Sequence, residues 1–242
     1  MRFKKILIGL VTVLCVLSLA ACDISGNETN NKIGSGSGIF SDTLTYKTDD
    51  TIIYASDNNE DEWCLTLVNR WNPIKDGWNV EVVQLSNGER VDSRIYPYLQ
   101  RMFDDMRADG IYPVVASGYR TEVEQQQIYD DKMAEYVSMG HSKTEAKELT
   151  EKWVAVPGTS EHQLGLGVDI NADGVHSYGN EVYDWLLENA YCYGFIKRYP
   201  DDKTDITGIS SEPWHYRYVG TDAATEIHER GICLEEYLGS VE

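Results

Sequence analysis

Two of the chain's five histidines stand in company that suits metal-assisted hydrolysis. His162 lies in Ser160-Glu161-His162-Gln163-Leu164-Gly165-Leu166-Gly167-Val168-Asp169, and His215 closes Glu212-Pro213-Trp214-His215. A hydrolytic zinc site needs three protein ligands of nitrogen or oxygen type and one open position for water. It also needs a carboxylate close enough to take that water's proton. His162, Asp169 and His215 could supply the ligands. Glu212, near one of them in sequence, could supply the carboxylate from beside the metal rather than on it. Gly165 and Gly167 would let backbone pack closely between two ligands. Each residue alone has a plainer use. A single histidine in a strand is more often structural, and an aspartate after an apolar strand commonly forms a turn.

A second segment, Ser117-Gly118-Tyr119-Arg120-Thr121 with Gln125 beyond it, carries a cation to a strand-to-helix junction. There Arg120 could hold an oxyanion or a terminal carboxylate, helped by the helix dipole. An isolated arginine of this kind more often makes a surface ion pair. Gln125, on the first turns of the same helix, could hydrogen-bond a peptide or face solvent. His141, His176 and His228 have polar or helix-terminal settings and are expected to be solvated. Trp214, beside His215, could pack next to the metal site, although core packing is the more usual job of an aromatic.

The elements that must position these groups are readable in outline. Ile95, Leu99, Met102, Phe103 and Met106 follow helical spacing, with Gly110 as a stop. Tyr112 to Ala116 is apolar and β-branched, a buried strand. Thr121 with Glu124 makes a capping box that opens a helix through about Val137, and Ser142 with Glu145 opens another. Leu164 to Ile170 is expected as a strand. Tyr183, Leu186, Leu187, Ala190 and Tyr191 make an amphipathic helix ending at Gly194. Trp214 to Val219 is expected as a strand, and Thr221 starts a last helix. Helices and strands mix without a regular βαβ rhythm, which favours α+β with an antiparallel sheet.

Composition bounds the rest. The chain is 42% hydrophobic and 11% aromatic, enough for a packed core. Its formal net charge of −19 repels nucleic acid and anionic headgroups, so neither is an expected partner. Arg2, Lys4 and Lys5 precede an apolar run, Ile6 to Ala20, which is short for a membrane span and has the flanks of a signal peptide. The run ends in Leu19-Ala20-Ala21-Cys22, which resembles the lipobox of bacterial lipoproteins. That resemblance implies cleavage before Cys22 and acylation of Cys22, with two or more chains making a stable membrane anchor. The expected divisions are a signal peptide over 1–21, a flexible polar tether over 22–50 containing Gly34-Ser35-Gly36-Ser37-Gly38, and a folded domain over 51–242. Cys64, Cys192 and Cys233 remain after the leader and allow at most one disulfide, whose pairing the sequence does not reveal.

Ser-x-His-x-x-Gly-x-x-x-Asp (Ser160, His162, Gly165, Asp169) followed by Glu-x-x-His (Glu212, His215) resembles the zinc D-alanyl-D-alanine carboxypeptidases and dipeptidases, closest to their VanY-type and LdcB-type branch. Ser117 to Thr121 with Gln125 is similar to that family's Ser-Gly-Tyr-Arg-Ser segment, with Thr121 for the usual serine. Leu67-Val68-Asn69 with Pro73, and Val91-Asp92-Ser93-Arg94, resemble its opening stretches, so the likeness runs from about Leu65 to Tyr218. Gly167-Val168 departs from the family's usual pair but stays small and apolar.

The resemblance implies a small antiparallel sheet flanked by helices, the hedgehog-like zinc D,D-peptidase fold. It implies Zn2+ held by His162, Asp169 and His215, Glu212 as general base, Arg120 at the oxyanion, and Ser160 and Gln125 orienting substrate. The expected reaction is removal of a C-terminal D-alanine from peptidoglycan stem peptides, by a monomer held at the outer membrane face through its lipid. D,D- and L,D-specificity both stay open at this level. The non-enzymatic rival is a peptidoglycan-binding or sensor lipoprotein of the same fold. Serine chemistry lacks its Ser-x-x-Lys and Gly-x-Ser-x-Gly signatures after Cys22.

Overall fold

The computed structural model describes residues 45–48, 51–54, 63–171 and 181–240. The expected signal peptide, Cys22 and His176 lie outside the described residues. The described residues begin with an antiparallel pair, β1 (Thr45–Thr48) and β2 (Thr51–Tyr54), which brackets the boundary expected at residue 50. A hairpin joins β3 (Val82–Gln84) and β4 (Arg90–Asp92).

Helix α1 (Tyr96–Ala108) follows, with Pro97 in its first turn, where a missing N–H costs nothing. Its stripe of Leu99, Met102, Phe103 and Met106 is buried as the spacing predicts. Each such side chain contributes roughly 1.5–3 kcal/mol on leaving water. Strand β5 (Val115–Ser117) begins three residues later than expected, because Tyr112 is 72% exposed and Pro113 supplies no N–H to a ladder. Helix α2 (Glu122–Ser138) starts at the Thr121–Glu124 capping box, and α3 (Lys143–Thr150) at the Ser142–Glu145 box. In both, the N3 carboxylate reaches back to the cap N–H, at 2.7 and 2.9 Å.

The expected strand from Leu164 is corrected. Glu161–Leu164 forms one short helical turn, α4, and only Gly167–Ile170 forms strand β6. Gly165, at φ +75°, ends the turn in the left-handed conformation and redirects the chain into the sheet. Helix α5 (Glu181–Asn189) runs into a 3-10 turn over Ala190–Tyr193 that stops at Gly194. Then come β7 (Phe195–Tyr199), the short α6 (Thr204–Thr207), β8 (Glu212–Tyr218), α7 (Thr221–Arg230) and the short α8 (Leu234–Tyr237).

Strands β5, β6, β8 and β7 form, in that order, one fully antiparallel sheet. The main core packs α1 and the buried residues of β5, β6 and β8 together, with Val168, Ile170, Tyr216 and Tyr218 at its centre. A smaller cluster holds α7 and Leu234 against Ile196 of β7. This is the expected α+β arrangement, helices around a small antiparallel sheet. Among the described residues, no disulfide joins Cys64, Cys192 and Cys233 to one another.

A side chain at 165 would meet two obstacles. Its Cβ would lie 2.8 Å from Val80 Cγ1 and 3.1 Å from Asp92 Cβ, on a backbone that L-residues rarely adopt. Gly165→Ala should therefore cost about 1–3 kcal/mol of unfolding free energy. Chemical denaturation that shows wild-type stability would contradict this placement.

Candidate active site

Strand register brings the site together. Asp169 on β6 lies directly opposite His215 on β8, and Ser117 on β5 lies opposite Asp169 on its other side. Directly opposed residues hold their Cβ atoms about 5 Å apart, so short side chains reach one another. His162 arrives from α4, the turn just before β6.

Glu212 joins through an irregularity. Lys197 of β7 pairs with Tyr216 of β8, yet Tyr199 pairs with Glu212, so two steps along β7 match four along β8. In a regular strand, residues three apart point to opposite faces. The bulge removes that rule, and Pro213, without an N–H, sits inside it. Glu212 Oε2 consequently lies 3.8 Å from His215 Nδ1, on the same side. The bulge also turns Trp214 toward the cleft beside Glu212 and His215, which corrects the core position expected for it.

His162, Asp169 and His215 are all buried, and one ligand atom from each lies within 4.8 Å of the others. His162 Nδ1 donates to Gly118 O at 2.8 Å, since a carbonyl can only accept, and this leaves Nε2 with its lone pair. Nε2 stands 3.4 Å from Asp169 Oδ2. His215 Nδ1 stands 2.9 Å from Asp169 Oδ1. The two rings meet nearly at right angles, 82°, with centroids 4.9 Å apart. Ligands about 2.0–2.1 Å from a tetrahedral zinc are about 3.3 Å from each other, so the spacing and the N,N,O donor set both fit Zn2+.

Arg120 is held firmly. Its Nε donates to Ser117 Oγ at 2.9 Å, Nη1 to Gln125 Oε1 at 3.2 Å and Nη2 to Asp169 Oδ2 at 3.0 Å. Two guanidinium hydrogens remain for a ligand. Gln125 is neither solvated nor loose: it is 1% exposed, and its Nε2 donates to Ala155 O at 2.8 Å. Ser160 is the N-cap of α4 without a side-chain cap bond to that turn, and it lines the cleft. The cleft has a volume of about 520 Å³ and extends from the ligands along α2 past Ile128, Lys132 and Tyr136 to Trp153.

Sequence reading missed Glu161. Its carboxylate is buried between two buried arginines, and Oε1 accepts from Arg198 Nε and Arg217 Nη1, each at 2.7 Å. Its other oxygen faces His215 Nε2 at 3.4 Å. A glutamate beside a motif histidine gives no signal of this, because its partners come from β7 and β8. Asn69 and Asp92 take structural roles, bonded to Glu235 and Arg94. His141 and His228 are exposed as expected, though His228 stacks on Tyr191 at 3.9 Å.

Electrostatics divides the four central groups. Burial raises Asp169, but His162 and His215 overcome it and hold the carboxyl well below its usual range. Burial pulls His162 down, with Arg120 adding to it. Burial also pulls His215 down, but hydrogen bonds to Asp169 and Glu161 outweigh it and push the imidazole up to about 9. Burial dominates at Glu212 and pushes its acid up to about 7, near the pH where a general base works best. A divalent cation here would displace the proton from His215 Nδ1.

For chelator-treated protein these directions fix a sign. His215 binds its proton more tightly folded than unfolded, where its value is about 6.5. Its contribution to stability is complete below about 6.5 and is lost as pH rises through about 9. Glu212 acts the same way between about 4.5 and about 7. Thermal midpoints of zinc-loaded and chelated protein should therefore diverge as pH rises from 6.5 to 9. A constant difference would refute the protonation state assigned to His215.

The likeness to known proteins agrees with this geometry. The family described as VanY, D-alanyl-D-alanine carboxypeptidase, matches residues 88–221. A D-alanyl-D-alanine carboxypeptidase of Enterococcus faecalis is 61% identical over 208 residues, covering 86% of this chain and 76% of the relative. A mutant of the vancomycin resistance D,D-pentapeptidase VanY from a VanB-type cassette, solved with Zn(II), is 67% identical with a TM-score of 0.70, over 73% of this chain and 99% of that one. VanYB in complex with D-alanine-D-alanine is 66% identical with a TM-score of 0.71, over 75% of this chain and 100% of that one. Motifs, fold and ligand geometry thus converge, and the chain belongs to the VanY family of D-alanyl-D-alanine carboxypeptidases.

Proposed function

We propose that the chain removes the terminal D-alanine from peptidoglycan stem peptides ending in D-alanyl-D-alanine, with His162, Asp169 and His215 as the zinc ligands and Glu212 as the base. The observation that carries this is the meeting of two imidazoles and one carboxylate within 4.8 Å, with Glu212 3.8 Å from one of them. Zn2+, when bound, supplies Lewis acidity toward a water and the scissile carbonyl.

The side chains supply the rest. Glu212, with its raised acid, takes a proton from the attacking water and returns it to the amine of the leaving D-alanine. The water oxygen adds to the carbonyl carbon, and the peptide C–N bond then breaks as the amine takes the returned proton. Arg120 is already fixed by Ser117, Gln125 and Asp169, so it can donate its spare hydrogens to the carbonyl oxygen as negative charge grows there, without reorganising. Ser160 lines the cleft and orients the peptide backbone, while the buried Gln125 acts by holding Arg120 in place.

The same proposal extends to location. The lipobox-like Leu19-Ala20-Ala21-Cys22 supports acylation of Cys22 and a place on the outer face of the cell membrane, where the substrate is. Among the described residues, no helix is long and apolar enough to cross a membrane.

Two outcomes are expected. Glu212→Gln should keep stoichiometric zinc while D-alanine release from a pentapeptide falls by about 10²–10⁴-fold; near-wild-type turnover would refute its role. Chelator should abolish release by the wild-type protein and a β-lactam should not. Inhibition by the β-lactam instead would point to serine chemistry.

A further inference from the structure

The buried ion network behind the site has a direct line to one metal ligand. Glu161, Arg198, Arg217 and Glu235 have side chains no more than 3% exposed. Arg198 bridges the two acids: its Nε donates to Glu161 at 2.7 Å, and its Nη1 and Nη2 donate to Glu235 at 2.9 and 2.6 Å. Asn69 completes Glu235 at 3.1 Å. Arg217 donates to Glu161 at 2.7 Å and to the carbonyls of Cys64, Thr66 and Tyr218. The network thus ties α4, β7, β8, α8 and the segment before β3 together, and both arginines converge on the same oxygen, Glu161 Oε1.

Among the described residues, convergence leaves Glu161 Oε2 facing His215 Nε2 at 3.4 Å. A carboxylate flanked by two guanidinium groups accepts and does not donate, so Nε2 keeps its proton whether or not Nδ1 does. Nδ1, the nitrogen that faces Asp169 and Glu212, is then the one that gives up its proton to a metal. Gly167 keeps this contact tight. A Cβ there would stand 3.1 Å from His215 Nε2 and 3.3 Å from Glu161 Cβ, so a side chain would press on both partners.

Resting on the ligand assignment proposed above, we infer that Glu161, clamped by Arg198 and Arg217, is a positioning residue that sets the tautomer and ring orientation of His215 for metal binding through Nδ1. Outer hydrogen-bond partners of this kind are worth 10- to 100-fold in metal affinity. A glutamine at 161 makes the role visible. Both arginines would still demand an acceptor, so the amide oxygen would take the place of Oε1. The amide NH2 would then face Nε2 and donate to it, which favours the proton on Nδ1, the wrong nitrogen for the metal.

The test uses the full chain loaded with zinc. In ¹⁵N-resolved spectra of the imidazole rings, wild-type His215 should be ligated at Nδ1 and should keep a protected proton on Nε2. Ligation of His215 through Nε2 would overturn the inference while leaving the zinc site standing; no zinc-induced change at His215 would overturn both. Glu161→Gln should weaken zinc binding 10- to 100-fold, measured by competition with a chelator. It should also lose the protected Nε2 proton, with far-UV circular dichroism unchanged in excess zinc. A folded variant with wild-type affinity and an intact Nε2 proton would overturn the inference. Should the variant fail to fold, the wild-type spectrum still decides.

Discussion

Everything in the site hangs on Asp169 and His215 facing each other across two antiparallel strands. Backbone hydrogen bonding sets that register, so the distance between carboxylate and imidazole does not depend on a loop. Side chains placed on paired strands cost little entropy to hold in position, and a metal site needs its donors placed to a fraction of an ångström. His162 comes from a turn pinned by its own bond to Gly118 O, and the bulge in β8 adds Glu212. Three local devices therefore feed one rigid pair.

Charge is concentrated in a small volume. Asp169, Glu212, His162, His215 and Arg120 lie together, and behind them Glu161 and Glu235 neutralise two buried arginines. Burying ions in this way is seldom a net gain in stability, and removing one partner is costly because the other is left uncompensated. The fold accepts this arrangement where it fixes orientation. The same burial that is unfavourable for the fold raises Glu212 toward neutrality and so suits it to proton transfer.

The parts of this legible in sequence were those with short-range signals. Two capping boxes, the Leu99–Met102–Phe103–Met106 stripe and the helix stop at Gly194 correspond to elements of the structure within a residue or two. The proposed ligand set and base were suggested by motif spacing and the family the motifs resemble. What escaped depends on partners distant in the chain. Leu164 looked like strand because Gly and apolar residues alternate from it to Ile170, but Gly165 bends the backbone there. Trp214 looked like core because nothing local announces a bulge whose existence is defined by pairing with β7. Gln125 looked like a helix face open to solvent or peptide, and its burial against Ala155 comes from the loop after α3. Glu161 drew no reading from the sequence, because Arg198 and Arg217 reach it from 37 and 56 residues away.

Zinc-edge X-ray absorption on the purified, zinc-loaded protein bears most directly on the central geometry. Two imidazole scattering patterns, further oxygen neighbours and no sulfur, in a first shell of four near 2.0–2.1 Å, are expected for ligation by His162, His215, Asp169 and a water. A sulfur neighbour at about 2.3 Å, or a single imidazole, would mean that the metal sits elsewhere and that the facing pair on β6 and β8 does not hold it.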